Sequence, residues 1–400
     1  MYESLALIAG FALLYSFVAG GIDRTWITGP IVFTAFGLLI GPTGFDLLSF
    51  EAGREGLRTL AELTLALVLF SDAAGADLKV LRKTAWLPTR LLLIGLPLTI
   101  ALGYVVASLL NVQLSVFELA LLATMLAPTD AALGQAVVSN EAVPGDVRQG
   151  LNVESGLNDG ICVPVLLLFL ALAQDAGHQG GPWNLALHLL AEEVGIGVAV
   201  GVVLTAVAVQ GLKFAAGRQW LTPIWNQIPV VALALTCFAA AQSLGGSGFI
   251  ASFVGGLLFG GLAGEHKEKF LLAAEGTGGV FGLITWVIFG SAVIGQAVGY
   301  FEWRYLVYAA FSLTVIRMLP VFLVLSGTGL NTESKLFIGW FGPRGLASIV
   351  FAVMVMDANL ENADIMAIVV ACTVIMSILA HGVTANPWAQ AYGRRSKQGG

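Results

Sequence analysis

Long apolar segments separated by short polar loops run through the whole chain. An apolar segment of about 17 to 25 residues is long enough to cross the hydrocarbon core of a bilayer as an α-helix. By this criterion we predict thirteen spans, at approximately residues 4–20, 26–41, 57–74, 86–110, 116–141, 150–174, 186–214, 227–243, 247–264, 278–300, 304–326, 335–356 and 364–384. The pattern therefore predicts an all-α polytopic membrane protein with about thirteen transmembrane helices.

The composition supports the same conclusion. Of the 400 residues, 57% are hydrophobic and 11% are Asp, Glu, Lys or Arg, less than half of the roughly 25% charged residues typical of soluble domains. Chain length alone would suggest two or three soluble domains of roughly 150 residues each, but so few charges cannot cover a water-soluble surface. We therefore expect one membrane domain over residues 1–400.

Cysteine usage and net charge exclude several other classes of protein. Cys162, Cys237 and Cys372 lie in apolar stretches without the spacing of a metal site or a disulfide framework, so we expect buried free thiols. The net charge of -6 is not gathered into a run that could bind nucleic acid. We predict no cofactor, no nucleic-acid partner and no enzymatic activity, with the lipid bilayer as the environment.

The distribution of basic residues predicts the orientation. Fourteen of the nineteen Lys and Arg residues lie in loops that the thirteen-span arrangement places on the same side of the membrane as the C-terminus. Arg54, Arg58 and Arg304 lie in loops on the opposite side. Because basic loops favour the cytoplasm, we expect a cytoplasmic C-terminus, an outside N-terminus and insertion in the plasma (inner) membrane. Residues 1–20 begin without Lys or Arg and fit a first span better than a signal peptide. Residues 386–400 would form a short cytoplasmic tail.

Two of the predicted spans contain proline and polar residues near their centres. These are Ala127–Asp130 in the fifth span and Gly339–Gly345 in the twelfth. Irregular backbone at membrane depth is tolerated only where it is buried in protein or lines a water-filled cavity, so both spans should be broken helices. The breaks fall at matching places in two sets of six spans, approximately residues 1–180 and 215–385, and one intervening span inverts the second set. This arrangement is typical of a secondary transporter with inverted repeats and an ion site where the broken helices meet.

Glycine pairs at GxxxG spacing predict close helix packing. Small residues four positions apart let two helices approach closely in lipid, so we expect each pair to lie at a helix–helix contact. The pairs are Gly37 with Gly41, Gly197 with Gly201, and Gly256 with Gly260.

Charged residues within the spans are candidates for function, because a charge at the centre of a membrane helix costs about 2.5 to 3.5 kcal/mol on insertion scales. Glu62, Glu192 and Glu193 lie nearer the span ends, where their side chains would snorkel or face a funnel. The deepest charged residues are Asp72, Asp130, Glu154, Asp159, Arg317 and Arg344.

A cluster of polar side chains in the sixth span predicts an ion site. Ser155 and Asp159 are four residues apart and Asn158 lies beside them, so a helix presents a hydroxyl, an amide and a carboxylate on roughly one face. With Thr129 and the loosened carbonyls near Pro128, these oxygen ligands would replace most of the hydration shell of a small monovalent cation. Asp159 can instead hold a proton, and one carboxylate suffices for antiport because the two ligands compete for it. Alternatively, Asn158 and Asp159 form a satisfied hydrogen bond between helices.

The other deep charges each have two interpretations. Asp130, at the first break, caps the N-terminus of a half-helix, where a carboxylate balances the positive end of the helix dipole, or it binds the ion directly. Glu154 faces a different side of its helix from Asp159 and needs a buried partner, either Arg317 or Arg344. Arg344 otherwise satisfies carbonyls of the broken helix.

Two further sets of polar residues carry weaker signals. Asp72, at the cytoplasmic end of the third span, lines an entry funnel or lies at the membrane interface. The histidines lie at loops or span ends without metal-site spacing, so we predict no role for them. They are His178, His188, His266 and His381.

Four motifs found together resemble those of a known family. They are Ala127–Asp130 (APTD), Glu154–Gly160 (ESGLNDG), Gly246–Ile250 (GSGFI) and Gly342–Ala347 (GPRGLA). Over nearly its whole length the chain resembles the monovalent cation/proton antiporter family that includes the bacterial NhaP proteins and the animal NHE exchangers. The resemblance implies an NhaA/NhaP-like fold of thirteen spans, with a dimer domain and a moving core domain in a homodimer. It also implies exchange of cytoplasmic Na⁺, K⁺ or Li⁺ for H⁺ in pH homeostasis.

The resemblance also implies roles for individual residues. The family's ion-binding aspartate corresponds to Asp159, the preceding asparagine to Asn158, and the family's serine to Ser155. The unwound Thr-Asp pair of the family corresponds to Thr129 and Asp130.

Two features of the family's pattern bear on charge. The family's buried Glu-Arg pair corresponds to Glu154 and Arg317. Members with asparagine before the aspartate are typically electroneutral, so the resemblance implies one proton exchanged per cation. The chain departs from the commonest pattern at Gly156 and in the position of Pro128.

Three other functions fit part of the pattern. An intramembrane aspartyl protease would use two carboxylates such as Asp130 and Asp159, but neither lies in the required Gly-x-Gly-Asp type of motif. A gated cation channel would suit the oxygen ligands but needs no pair of broken helices. Transport of another solute by the same architecture stays open, and substrate competition on vesicles separates it from cation exchange.

Overall fold

The structure is a computed structural model that describes residues 2–22, 25, 27–47, 54–76, 86–138, 140–174, 182–263, 267–294, 300 and 302–398. Within these ranges the regular secondary structure is helical and contains no strand. The fold is therefore all-α, as the sequence predicts.

The helices begin and end at the following residues. They are α1 (Tyr2–Ile22), α2 (Gly29–Ile40), α3 (Arg54–Gly75), α4 (Trp86–Leu109), α5 (Val116–Met125), α6 (Ala131–Val138), α7 (Gly145–Gln174), α8 (Pro182–Gly217), α9 (Ile228–Ser243), α10 (Gly248–Ala263), α11 (Lys267–Ile288), α12 (Trp303–Val324), α13 (Thr332–Trp340), α14 (Leu346–Asp357) and α15 (Ala363–Gln398). α4 contains a π-helical turn at Leu91–Gly95, α11 continues as a π-helix over Phe289–Ile294, and α12 is interrupted at Thr314. Pro97 follows the turn in α4 and has no N–H to donate into it.

The helices coincide with the predicted spans. Within the described residues, each span corresponds to one helix or, at the two breaks, to a pair of short helices. Seven helices in this part of the chain are long and apolar enough to cross a membrane, and five shorter apolar helices accompany them. The chain is thus a multi-pass membrane protein, and the exact number of crossings and the orientation stay predictions. Four of the basic residues behind the predicted orientation, Arg24, Lys79, Arg82 and Lys83, lie outside the described residues.

Two helix boundaries differ from the prediction. α11 begins at Lys267 rather than at 278, and α15 continues to Gln398 through most of the segment predicted as a tail. Tyr392 explains the second difference, because it is buried and its hydroxyl lies 2.7 Å from the hydroxyl of Ser334 in α13. The polar end of the chain thus extends a packed helix. Its side of the membrane stays a prediction.

The helices pack as two bundles that meet along α3, α7 and α14. The first, which we name the scaffold bundle, is built around α3 and α10, which pack against each other. In this bundle α3 also contacts α9 and α11, and α10 also contacts α8 and α9. In the second, the site bundle, α5 packs against α4 and α7, while α12 and α14 pack against α15. α3 contacts both α7 and α14, so this scaffold helix faces the site bundle directly.

The predicted glycine pairs lie at helix contacts. A Cβ on Gly256 or Gly260 of α10 would overlap the carbonyl oxygens of Phe70 and Ala74 in α3. The pairs on α2 and α8 make equivalent close contacts with α11 and α10. The prediction of GxxxG packing is confirmed.

Candidate ion-binding site

The two predicted breaks lie against each other in the site bundle. Residues 126–130 separate α5 from α6, and residues 341–345 separate α13 from α14. The backbone N–H of Asp130 donates to the carbonyl of Pro343 at 2.8 Å, so the two unwound segments are hydrogen-bonded directly. Four helix ends, each with backbone groups that lack partners inside their own helix, therefore meet in one buried region.

Asp130 caps both half-helices that begin at the breaks. Its Oδ1 accepts the N–H of Leu133 in α6 at 2.9 Å, and its Oδ2 accepts the N–H of Leu346 in α14 at 2.7 Å. The carboxylate is buried and lies at two helix N-termini, where the dipole is positive. Gly345 permits this approach, because a Cβ there would overlap the carboxylate. The sequence predicted one capped half-helix, and the structure has two.

Arg344 stabilises the end of the half-helix that stops at the first break. Its Nη1 donates to the carbonyls of Ala127 at 2.8 Å and Pro128 at 3.1 Å. The side chain is fully buried. Its positive charge lies where the carbonyls that follow α5 carry the negative end of the dipole. Of the two roles considered from sequence, pairing with Glu154 or binding carbonyls of a broken helix, Arg344 has the second.

Thr129 of the first break meets polar side chains of α7. The amide nitrogen of Asn158 donates to Thr129 Oγ1 at 2.6 Å, and the same hydroxyl lies 2.9 Å from Ser155 Oγ. Asp159 is the next residue along α7, and all four side chains are buried. The fold thus brings Thr129, Ser155 and Asn158 together, and Asp159 adjoins them along α7, one helical turn after Ser155.

Two buried oxygen atoms of this cluster have no hydrogen-bond partner. They are Asn158 Oδ1 and Asp159 Oδ1. A buried acceptor left without a partner costs about 1 to 3 kcal/mol, so such atoms in a folded protein call for an explanation. Because the amide nitrogen of Asn158 is held by Thr129, its oxygen is the atom that is available to a ligand. The alternative of a satisfied hydrogen bond between helices accounts for the amide nitrogen of Asn158 but leaves both of these oxygens without a partner.

Glu154 and Arg317 form a buried ion pair. Nη1 and Nη2 of the arginine each lie 2.7 Å from a different carboxylate oxygen, and both side chains are 1% exposed. Such two-pronged pairing is the strong form of an arginine–carboxylate contact. Of the two partners considered from sequence, Arg317 is the one that neutralises Glu154.

Asp72 faces the site bundle from α3. A Cβ on Gly156 would lie 3.4 Å from the Asp72 Cβ, one residue beyond Ser155 on α7. The Asp72 side chain is half-buried, and its helix α3 packs against α7. This position favours the funnel interpretation over a location at the membrane interface.

A cavity of about 390 Å³ lies at the other end of α3, between the two bundles. Glu62 and Glu193 line it, so these carboxylates face a cavity rather than lipid. Arg58 pairs with Glu62 at 2.6 Å and with Asp357 at the end of α14. Sequence reasoning missed this link between the bundles, because no local pattern relates Arg58 to Asp357.

His381 does not lie at a helix end, where the sequence placed it. The residue lies inside α15 rather than at a helix end, and it is 1% exposed. Its ring nitrogens lie within hydrogen-bond distance of Ser377 and of the Trp340 carbonyl at the end of α13. A serine and a histidine four residues apart in an apolar span were the available signal. His188 is exposed, and His178 and His266 lie outside the described residues.

The three cysteines are buried free thiols, as predicted. Cys162 lies on α7, Cys237 on α9 and Cys372 on α15, too scattered along the fold to form one site.

Comparison with known proteins identifies the family. The family described as "Sodium/hydrogen exchanger, transmembrane" matches residues 7–391. The chain belongs to this family. Its fold is similar to that of the sodium proton antiporter MjNhaP1 from Methanocaldococcus jannaschii at pH 8, with a TM-score of 0.77 and 20% sequence identity. That match covers 98% of this chain and 97% of the other, and at this identity it shows the fold alone.

Members of the family with similar sequences are named antiporters. The Na⁺/H⁺ antiporter 2 of Zygosaccharomyces rouxii is 28% identical over 381 residues, which cover 88% of this chain and 45% of the relative. The K⁺/H⁺ antiporter NhaP2 of Shewanella sp. (strain ANA-3) is 23% identical over 392 residues, which cover 95% of this chain and 64% of the relative. The chain thus spans about half to two thirds of the length of these relatives. The family is one of transporters, and its members carry names for different cations.

Proposed function

We propose that the protein exchanges a monovalent cation for H⁺ across the plasma membrane, with Asp159 binding the cation and the proton alternately. Na⁺ is the first candidate, followed by K⁺ and Li⁺. Thr129, Ser155 and Asn158 supply the other oxygen ligands. The cation is the transported substrate, and the chain needs no cofactor for this exchange.

The unpartnered oxygens of Asn158 and Asp159 are the observation that carries the proposal. A small alkali cation prefers hard oxygen ligands, and this cluster offers two hydroxyls, an amide oxygen and a carboxylate in one buried place. When no cation is bound, a proton on Asp159 removes the buried charge that would otherwise be unpaired. Cation and proton therefore compete for the same atoms.

The charges around the site support exchange of one proton per cation. Glu154 is paired with Arg317, and Asp130 accepts two backbone N–H groups at helix N-termini. These two carboxylates therefore have fixed partners on both of their oxygens. Asp159 lacks such a partner at Oδ1. One carboxylate that changes partners carries the same net charge in both directions, so transport is electroneutral.

The two bundles suggest how the site is exposed to each side in turn. Asp72 lies beside the site at one end of α3, and Arg58 joins α3 to the end of α14 at the other. Arg58 and Asp72 are fourteen positions apart, which is about 21 Å along the helix. In the proposed cycle the site bundle moves as a unit against the scaffold bundle of a homodimer, which alternately opens the Asp72 end and the Arg58 end.

Proteoliposomes that contain a pH-sensitive dye test the proposal. Na⁺, K⁺ and Li⁺ are added separately, with the membrane potential either clamped or left free. Exchange of at least one of these cations for protons, at a rate that does not depend on the potential, is expected. Because protons compete with the cation, the apparent KM for the cation should rise as the pH is lowered.

Asp159→Asn should abolish exchange while the protein still folds, since the amide keeps the shape but cannot cycle a proton. Cys162→Ala is a matched control, because it alters another buried side chain three residues further along α7. Substantial exchange by Asp159→Asn would remove Asp159 from the central role. A rate that follows the membrane potential would instead indicate a second cycling carboxylate, for which Asp72 is a candidate.

Two alternatives predict different results in the same assay. A cation channel would conduct Na⁺ or K⁺ without moving protons. A transporter of another solute would move protons only with that solute, and no monovalent cation would have an effect at any pH from about 5 to 9, the range in which buried carboxyl groups with raised pKa values titrate.

A further inference from the structure

α15 presents two polar side chains to the second break. Ser377 and His381 lie one helical turn apart on α15, and both are almost completely buried. Their partners are Trp340, the last residue of α13, and Arg344, which follows the unwound residues 341–343. The proposed exchange reaction does not yet use this pair.

The hydrogen bonds connect the two ends of the break. The backbone N–H of Arg344 donates to Ser377 Oγ at 2.7 Å, and His381 Nε2 lies 2.8 Å from the carbonyl oxygen of Trp340. Nδ1 also lies 3.0 Å from the carbonyl oxygen of Ser377, and a neutral ring has one N–H to donate to one of these two carbonyls. We assign the proton to Nε2, whose carbonyl contact is the shorter, and Nδ1 is then an acceptor. Ser377 Oγ lies 3.2 Å from Nδ1 and donates to it. The chain of bonds runs from Arg344 N–H through Ser377 and His381 to the Trp340 carbonyl.

Further contacts hold the end of α13 against α15. The indole N–H of Trp340 donates to Thr384 Oγ1 at 2.9 Å, and the rings of Trp340 and His381 lie 5.1 Å apart. Three successive polar residues on one face of α15 therefore contact either Trp340 or Arg344. Chance packing of an apolar helix gives no reason for three polar groups to meet the two ends of one unwound segment.

We propose that Ser377 and His381 are positioning residues that fix the geometry of the second break and, through Arg344, the position of Thr129. The effect on cation binding rests on the proposed function. Arg344 transmits it, because its guanidinium donates to the carbonyls of Ala127 and Pro128 directly before Thr129. When the backbone of Arg344 is held by Ser377, its guanidinium is held against the first break. The pair therefore acts on cation binding without touching the cation.

The experiment compares five proteins in proteoliposomes: wild type, Ser377→Ala, His381→Leu, His381→Gln and the control Thr373→Val. Thr373 is equally buried one turn earlier on α15, but its hydroxyl donates only to the carbonyl of Val369 in its own helix. The measured quantities are KM and kcat for whichever of Na⁺, K⁺ and Li⁺ the wild type exchanges, together with the melting temperature of each protein.

Ser377→Ala and His381→Leu should raise KM about five-fold, the effect of one lost hydrogen bond, with a smaller change in kcat. His381→Gln should stay near the wild-type KM, because its amide can donate to the Trp340 carbonyl and accept from Ser377. Thr373→Val should leave KM unchanged. If His381→Leu fails to fold, the comparison of Ser377→Ala with Thr373→Val decides. Equal KM values for these two, or a failure of glutamine to restore KM in a folded protein, would overturn the proposal.

Nitrogen NMR of labelled histidine provides a readout that does not depend on transport. The protein has four histidines, and the signals of His381 are those missing from His381→Gln. A neutral ring protonated on Nε2 is expected at pH 7, and Ser377→Ala should shift its Nδ1 signal. A ring protonated on Nδ1 would overturn the hydrogen-bond chain. If the wild type exchanges no monovalent cation, the proposed function fails, and the NMR result alone decides whether the pair holds the break.

Discussion

The two breaks look alike in sequence but are built differently in the structure. The first break offers a side chain to the ion cluster, because Thr129 contacts Ser155 and Asn158. The second break offers none of the proposed ligands, and its polar groups satisfy backbone atoms. Arg344 donates to carbonyls of the first break, and its own N–H is held by Ser377 of α15.

The first break therefore contributes to the proposed cation binding, whereas the second break holds the first one in place. Asp130 serves both breaks at once, since its two oxygens accept N–H groups from α6 and α14. A ligand held by one unwound segment needs a second segment to fix it, because unwound backbone has few hydrogen bonds of its own. We expect substitutions at the shared residues to cost the most stability, and substitutions at the ligands to change affinity most.

The largest effect is expected for Arg317→Ala. Gly342 of the second break packs against the Arg317 guanidinium and against Thr129, so this arginine lies between the two breaks. Its loss leaves Glu154 buried and unpaired, at a cost of about 3 to 5 kcal/mol. The loss of stability is measured as the folded yield and the melting temperature of the variant in detergent. Arg304→Ala, at the exposed end of the same helix, is the control and should cost little. Wild-type stability of Arg317→Ala would contradict the pairing argument.

Asp130→Ala should have the next largest effect. It removes a cap from two half-helices at once, and each cap contributes about 1 kcal/mol, so about 2 kcal/mol is expected. Asp130→Asn should lose about half as much, because the amide keeps a single acceptor oxygen. Asn331→Ala is a matched control for one cap, since Asn331 accepts only the N–H of Ser334 at the start of α13. If Asp130→Ala costs no more than Asn331→Ala, the shared cap is not what joins the breaks.

Gly345→Ala tests the same junction from the second break alone. A methyl group there overlaps the Asp130 carboxylate and would push it away from Leu346. Overpacking of this kind costs about 1 to 3 kcal/mol. Gly134→Ala in α6 is the control, because nothing lies within 4 Å of its added Cβ. The melting temperature should fall for the first variant and stay level or rise for the second. Equal values would mean that Asp130 can move without cost.

Thr129→Val should have the smallest effect on stability and the clearest effect on cation binding. The substitution keeps the shape but removes the hydroxyl that meets Asn158 and Ser155, so stability falls by about 1 kcal/mol while KM for the cation rises several-fold. Thr129→Ser should restore KM. Thr124→Val is the control, since that buried hydroxyl donates only to Ala120 in its own helix. If both valine variants bind the cation equally well, the first break does not supply a ligand.

The sequence predicted the membrane fold and the members of the site better than it predicted their contacts. Apolar segment length located the helices, and proline with polar residues located both breaks, because each of these features is local and costly in lipid. The list of buried charges followed from the same cost. The resemblance already implied Arg317 as the partner of Glu154, but the two-pronged geometry of the pair required the fold, since residues 163 positions apart carry no mark of how they meet.

His381 shows why the remainder was missed. Its spacing from Ser377 is a local signal of a buried polar pair, but that signal does not reveal the partner Trp340, which lies 41 positions away. The link between Arg58 and Asp357 and the second cap made by Asp130 have the same origin. Each depends on which helix ends meet, and that is a property of packing rather than of local pattern.

The sequence by itself determined that this chain is a membrane protein, at which residues its helices break, and which polar residues lie at membrane depth. The reason is that the bilayer penalises every exposed charge and every unpaired backbone group. The tertiary structure alone decided the partners: Asp130 with two half-helices, Arg344 with the first break, Ser377 and His381 with the second. Hydrogen bonds and ion pairs act over about 3 Å. Only the packing of distant helices brings such groups within that distance.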